Sequence, residues 1–250
     1  MTCSQLMSRF DAVDIAPISR MAVPDAAYVR IVEEILSGRV PAGEALPSER
    51  ELALAFQVNR HAIREALKRV QQAGLIRISH GGKTRVLNWR ENARLEILSD
   101  IVAAGVVPPL EIVRDVAVMR RSIGADAARL CAANASDEQL ERINAIAHAF
   151  PDQDAAVEEY GDADLAFWTA VIDGSGNLAY RLALNTLVAT FNDLGLPIVA
   201  EWIGGEYTDR AGRIALADLI AARDGAEAYR HAEQLLTHFV ARVDQTAPES

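Results

Sequence analysis

The sequence predicts a mainly α-helical chain in two parts: an N-terminal winged helix-turn-helix, then an all-α antiparallel bundle of about six or seven helices. Three observations carry that expectation. Between residues 48 and 87, two capped helical segments separated by a tight turn precede a Gly-Gly hairpin signal. From residue 91 onward, apolar residues recur at helical spacing with no strand candidate among them. The charge also divides. Residues 1–90 carry 13 basic and 9 acidic side chains, a balance of +4, whereas residues 91–250 carry 12 and 26, a balance of −14.

Residues 1–23 show no sustained period and read as a loosely ordered extension. The winged helix is expected over 24–90 and the helical domain over 91–250. Pro24 suits a first helical turn, and Ala27, Val29, Ile31, Val32, Ile35 and Leu36 form an apolar stripe ending near Gly38. Pro41 to Pro47 reads as a connector. Ser48 and Glu51 form a capping box that opens a short helix through Leu52, Leu54 and Phe56. After a turn at Gln57-Val58, Asn59 caps a second helix, Arg60 to Gln72, whose inner face is Ile63, Leu67 and Val70. Gly74 ends it, and Leu75–Ser79 and Thr84–Leu87 read as strands around Gly81-Gly82. In the second part, the clearest face runs Ile112, Val116, Met119, Ile123, Ala127, Leu130. Breaks at Pro108-Pro109, Asn134–Ser136, Pro151-Asp152, Asp173–Gly176, Pro197, Gly204-Gly205 and Asp224-Gly225 divide the rest into helices.

Composition excludes several classes. Half of the 250 residues are apolar, enough for a real core and too many for a disordered chain. Two cysteines, Cys3 and Cys131, supply neither a disulfide framework nor a thiolate zinc site and suit a reducing cytoplasm, the expected location. The first residues lack an apolar h-region, so no signal peptide is expected. No run of about 18 uncharged apolar residues occurs, so no membrane span is expected either. Gly81-Gly82-Lys83-Thr84 lacks the leading glycine and following helix of a phosphate loop, and no Gly-x-Ser-x-Gly is present. An enzyme is not expected.

The total charge of −10 argues against a polyanionic partner, but the first part argues for one: residues 41–90 hold 9 basic against 4 acidic side chains. The second helix of such a pair can enter the major groove with its N-terminal residues at base edges. Arg60 and Arg64 lie four apart and share a face of it, and Arg50 stands in the first turn of the preceding helix. The hairpin tip, His80-Gly81-Gly82-Lys83, is slim and basic enough for a minor groove or phosphates. The competing reading is a protein-binding winged helix on which these arginines form a solvated face.

Leu46-Pro47-Ser48-Glu49-Arg50-Glu51-Leu52-Ala53, then Val58-Asn59-Arg60-His61-Ala62-Ile63-Arg64-Glu65-Ala66-Leu67, then Gly74-Leu75-Ile76, resembles the N-terminal domain of GntR-family bacterial transcription regulators. The second half resembles the effector-binding domain of the FadR branch: Arg120-x-x-Ile123 runs into Ala127-Ala128-x-Leu130-x-Ala132-Ala133, and Asp164-x-x-Phe167 is followed by Ser175-Gly176-Asn177. The resemblance covers about 24–245. It implies a cytoplasmic homodimer that binds a palindromic double-stranded DNA operator and is modulated by a small-molecule effector in the helical domain. By the resemblance, DNA contacts fall on Arg50, Asn59, Arg60, Arg64 and the wing-tip His80 and Gly81. His61 joins them at a position, like Ala62, where relatives carry small hydroxyl residues, so the operator sequence is expected to differ from theirs.

Many relatives hold a divalent metal in the bundle through an aspartate, a histidine four residues on, and two later histidines. Here Asp164 is followed by Trp168, and the later positions fall on Arg213 and Leu235, with His231 and His238 as loose candidates. An arginine repels a cation and a lone carboxylate makes no tight site, so neither metal nor other cofactor is expected. This loss resembles the fatty-acid-responsive FadR regulators, in which an acyl-CoA releases the protein from DNA. Arg120 is the expected anchor for an anionic effector, an acyl-CoA or a small carboxylate, with Asp164 and Asn177 as companion contacts. Alternatively, Arg120 is a structural ion-pair partner of Asp126 or Asp164, or the chain is an organic-acid sensor with a metal-dependent site.

Overall fold

The computed structural model describes residues 22–79, 83–151, 155–194 and 208–246. The chain divides after Asn92 into two compact units.

The first unit begins with α1 (Val23–Leu36), whose Pro24 sits in the first turn; Ala27, Ile31, Val32, Ile35 and Leu36 are buried. Val29, placed on the apolar stripe by its spacing, is 43% exposed, because it lies one residue off the buried line. In α2 (Glu49–Ala55) the Ser48 hydroxyl accepts from the Glu51 N–H while the Glu51 carboxylate accepts from the Ser48 N–H at 2.7 Å, a complete capping box. The turn to α3 (Arg60–Gln72) passes through Gln57 in the left-handed region, at φ 55°. Asn59 Oδ1 accepts from the Ala62 N–H at 2.8 Å and caps α3, whose Ala62, Ile63, Ala66, Leu67 and Val70 are buried. The helices α1 and α3 pack together, and α2 rests on α3.

The wing is shorter than the expected strands and has an extra partner. Strands β1 (Ile76–Arg77) and β2 (Arg85–Val86) pair antiparallel, Ile76 opposite Val86 and Arg77 opposite Arg85. The 41–47 stretch, expected as a plain connector, runs along the other edge of β2. Ala45 bridges to Arg85; the N–H groups of Gly43 and Leu46 donate to the carbonyls of Val86 and Thr84, and Val86 N–H donates to Glu44. These bonds use main-chain groups alone, which leave no periodic trace in side-chain identity. The wing-tip positions His80 and Gly81 lie outside the described residues. The unit ends with the one-turn α4 (Trp89–Asn92).

The second unit holds seven α-helices among the described residues: α5 (Leu98–Ala103), α6 (Pro109–Asn134), α7 (Asp137–His148), α8 (Val157–Ser175), α9 (Leu178–Leu194), α10 (Arg210–Ala221) and α11 (Gly225–Thr246). A single 3-10 turn, Leu95–Ile97, leads into α5. The long α6 is the spine: α11 packs along it most extensively, followed by α8. A core of Ala125, Ala128, Cys131, Phe167, Val171, Leu216, Ile220, Ala232 and Leu236 joins α6, α8, α10 and α11. Small residues on α6 let its neighbours come close. The Arg223 guanidinium donates to the carbonyls of Ala132 and Ala135, satisfying the end of α6. Burial pushes the Cys131 thiol up to about 12, so it behaves as a small core side chain.

Gly174 on α8 faces Cys131 so closely that a Cβ there would lie 2.5 Å from Sγ. Alanine is favoured over glycine within a helix by about 1 kcal/mol, but overpacking costs about 1–3 kcal/mol. Gly174→Ala is therefore expected to destabilise the protein in chemical denaturation, and adding Cys131→Ala to recover part of the loss.

Candidate nucleic-acid interface and ligand cavity

The first candidate site lies on the outer side of α3. Burial of Ile63, Ala66, Leu67 and Val70 turns the opposite side outward, and Arg60, His61 and Arg64 are all exposed on it. Arg50, in the first turn of α2, is exposed as well. Arg50, Arg60 and His61 make no side-chain hydrogen bond among the described residues, whereas Arg64 is held: its Nε and Nη2 donate to the two Glu49 carboxylate oxygens at 3.2 and 2.8 Å. This hydrogen bond, helped by the charge of Arg64 and of Arg60, lowers the Glu49 pKa below the ordinary carboxylate range and raises that of Arg64. Asn59 meets a structural demand as the cap of α3, while the Nδ2 end of the same amide makes no bond among the described residues. The arrangement presents two guanidiniums, an imidazole and an amide at one helix N-terminus, where forked and charged donors suit base edges and phosphates.

The second candidate site is a small cavity of about 20 Å³ between α6, α8 and α9, lined by Arg120, Ile123, Gly124, Trp168, Ile172, Leu184 and Leu187. Its walls are apolar except for the Arg120 guanidinium and the indole of Trp168. Trp168 is buried and its Nε1 has no hydrogen-bond partner among the described residues. Gly124 makes room for that indole: a Cβ there would lie 3.3 Å from Cζ3 of Trp168 and 2.5 Å from Cδ1 of Leu236. The Arg120 guanidinium carbon sits 5.9 Å from the centre of the indole. An aromatic residue one turn after Asp164 reads from sequence as ordinary core; here it is both core and cavity wall.

Beside the cavity, Asp164 on α8 is buried and bound from two sides. Arg120 Nη2 on α6 donates to Oδ2 at 2.9 Å, and Arg213 Nη2 on α10 donates to Oδ1 at 2.5 Å. Arg213 is fully buried, also donates to the Asp209 carbonyl at 3.0 Å, and stacks 4.1 Å over the Phe150 ring. Of the two carboxylates weighed as partners of Arg120, Asp164 is the one met; Asp126 instead accepts from Arg129 and from the Tyr180 hydroxyl. That hydroxyl bond raises the Tyr180 pKa. The other two expected effector contacts, Asp164 and Asn177, both have structural partners. Asp164 does not line the cavity, and Asn177 Oδ1 accepts from the N–H groups of Ala179 and Tyr180, which makes it the cap of α9.

These residues do not fit a divalent metal. Each Asp164 oxygen already faces a guanidinium, so a metal ion there would lie beside two positive groups. His231 meets the Gly212 carbonyl at 2.8 Å, His238 is exposed, and Leu235 is buried among apolar neighbours. No three His, Cys, Asp or Glu side chains come together among the described residues.

Comparison with known proteins bears on both units. Residues 24–86 match the family described as bacterial regulatory proteins, gntR family, and residues 115–238 match the FCD domain. HTH-type transcriptional regulator Mce2R of Mycobacterium tuberculosis is 30% identical over 89% of this chain and 92% of its own length. The fatty acid metabolism regulator protein of Proteus mirabilis is 30% identical over 66% of this chain and 67% of its own, and that of Shewanella halifaxensis 33% over the same shares. The fold resembles the solved structure of Lar, described as controlling the agr system of Listeria monocytogenes, with a TM-score of 0.50 at 14% identity over 92% of this chain and 100% of that one. No helix among the described residues is long and apolar enough to cross a membrane. A winged helix matching one family over its whole length, joined to an FCD domain, settles the assignment: the chain belongs to the gntR family of bacterial regulatory proteins, in its FadR-like branch, and is a DNA-binding transcription regulator rather than an enzyme.

Proposed function

We propose that the protein works in the bacterial cytoplasm as a homodimer on a palindromic operator, with an anionic effector in the helical unit governing its hold on DNA. The observation that carries the DNA half is the exposed row Arg60, His61 and Arg64 on the outward side of a capped α3. Arg60 and Arg64 read base edges or adjacent phosphates, Arg50 and Asn59 fix the position of the helix, and His61 presents an imidazole in place of a small hydroxyl. His80 and Gly81 complete the footprint from the wing tip. Two recognition helices related by a two-fold axis match two half-sites, and an effector that favours a different dimer geometry lowers affinity by shifting populations.

The effector reading rests on the cavity beside Arg120. Apolar walls and one guanidinium suit an amphipathic acid whose head meets Arg120 and whose body lies against Ile123, Ile172, Leu184 and Leu187 once the helices part. The similarity to proteins named for fatty acid metabolism supports a fatty acyl group as that body, delivered as the free acid or the acyl-CoA. At about 20 Å³ the cavity has room for about one water, so any acyl effector enters only by parting α6, α8 and α9. That parting is the proposed signal.

Two outcomes are expected. On duplexes selected from random-sequence DNA, Arg60→Ala and Arg64→Ala lose about 5- to 150-fold in affinity with unchanged thermal unfolding, and wild-type affinity in either variant refutes the recognition-helix reading. In a thermal-shift panel of acyl-CoAs, fatty acids and small carboxylates, a true effector at about 100 times its dissociation constant adds about 2.7 kcal/mol. Leu184→Trp, which fills the cavity without touching its charge, should abolish that shift; an undiminished shift places the effector elsewhere.

A further inference from the structure

The first residue of α2 is a carboxylate turned toward the arginines of α3. Glu49 accepts both forked donors of Arg64, which lies 15 residues further on, so the pair links the two helices of the reader and is not a neighbour contact within one helix. Both side chains remain in solvent, Arg64 58% and Glu49 38% exposed. An exposed pair of this kind adds little to stability. Its location is nevertheless unfavourable for a protein that approaches a polyanion, because a carboxylate on the contact face repels phosphate. A group that adds little to the fold and opposes non-specific binding points to a role in discrimination.

Geometry says how. A lone arginine on a helix surface samples many rotamers and meets whichever phosphate is nearest, and every DNA sequence offers phosphates. Two parallel N–H···O bonds fix both the plane and the direction of the guanidinium. The donors that remain on Arg64 are then held in one orientation on an exposed side chain. We propose that Glu49 is a positioning residue for sequence reading: it holds Arg64 in register for a base edge and withholds it from the phosphate backbone. Glu49 lowers affinity for DNA in general and raises the preference for the operator. The proposal rests on α3 being the recognition helix.

Wild type, Glu49→Gln, Arg64→Ala and the double variant are compared on the tightest duplex selected by the wild type and on a scrambled duplex of the same length. Each is measured across a salt series, with thermal unfolding as the control for folding. Glu49→Gln keeps the shape of the side chain and removes its charge. It is expected to bind the scrambled duplex more tightly, to steepen the logarithmic salt dependence by about 0.9 as Arg64 takes a phosphate, and to lose at least about fivefold in operator preference. In the Arg64→Ala background the same change should leave the preference within about twofold, since distant or uncoupled effects add and coupled ones do not. An unaltered preference in Glu49→Gln overturns the proposal. So does an equal loss with Arg64 absent, which would make Glu49 itself the reader of a base. If Arg64→Ala binds the selected duplex as the wild type does, the recognition-helix reading fails first and takes the role of Glu49 with it.

Discussion

A carboxylate buried in a helical bundle must meet cations, and Asp164 meets two. Its partners come from different helices, Arg120 on α6 and Arg213 on α10, while the aspartate sits on α8. Removing one member of such a group leaves a buried charge with less compensation, which is why buried ion pairs are strongly destabilised when broken. Three helices are thereby held in one mutual register by two hydrogen bonds. Phe150 lies under Arg213 and Trp168 stands a turn beyond Asp164, so the aromatic part of this core is arranged around the same charge. Arg120 is fixed on one side by Asp164 and, among the described residues, is the charged wall of the cavity on the other. It is both tied into the core and open to the cavity.

The reader obeys a different physics. Its core is small and apolar, and what it leaves outside is a row of arginines, a histidine, a capped helix end and one carboxylate. The opposite charge balance of the two units has a mechanical meaning in this light. The −14 of residues 91–250 is repelled by a duplex while the +4 of residues 1–90 is drawn to it, so the field of the whole chain favours encounters that lead with the reader.

The reader was largely legible from sequence because its signals are local. Ser48 with Glu51, Asn59 before Arg60, and the Ile63–Leu67–Val70 face each need only a few residues of context. The pairing of 41–47 with β2 was not, because it is made mainly of backbone atoms, joined by one Arg85 guanidinium bond to the Gly43 carbonyl. In the bundle the helices were legible and their contacts were not. Arg120 with Asp164 was one of two pairings open to a reader of the sequence; Arg213, 49 residues further, declared itself only as an obstacle to metal. Asn177 carries two readings. It follows Ser175-Gly176 in a family signature and so reads as functional, and its side chain also starts a helix, as asparagine commonly does. Short polar residues near helix ends serve capping and binding alike, and nothing in their identity separates the two.

That double use has a consequence at Asn59. Its oxygen caps α3 while its amide nitrogen makes no bond among the described residues, so any replacement must first preserve the start of the helix. Two places along the chain, His61 is exposed, and no hydrogen bond among the described residues depends on it. Divergence along this exposed side is therefore channelled. Position 61 can drift at little thermodynamic penalty, whereas position 59 is confined to the few side chains that also start a helix. The cap sets not only where α3 begins but which of its exposed positions are open to change.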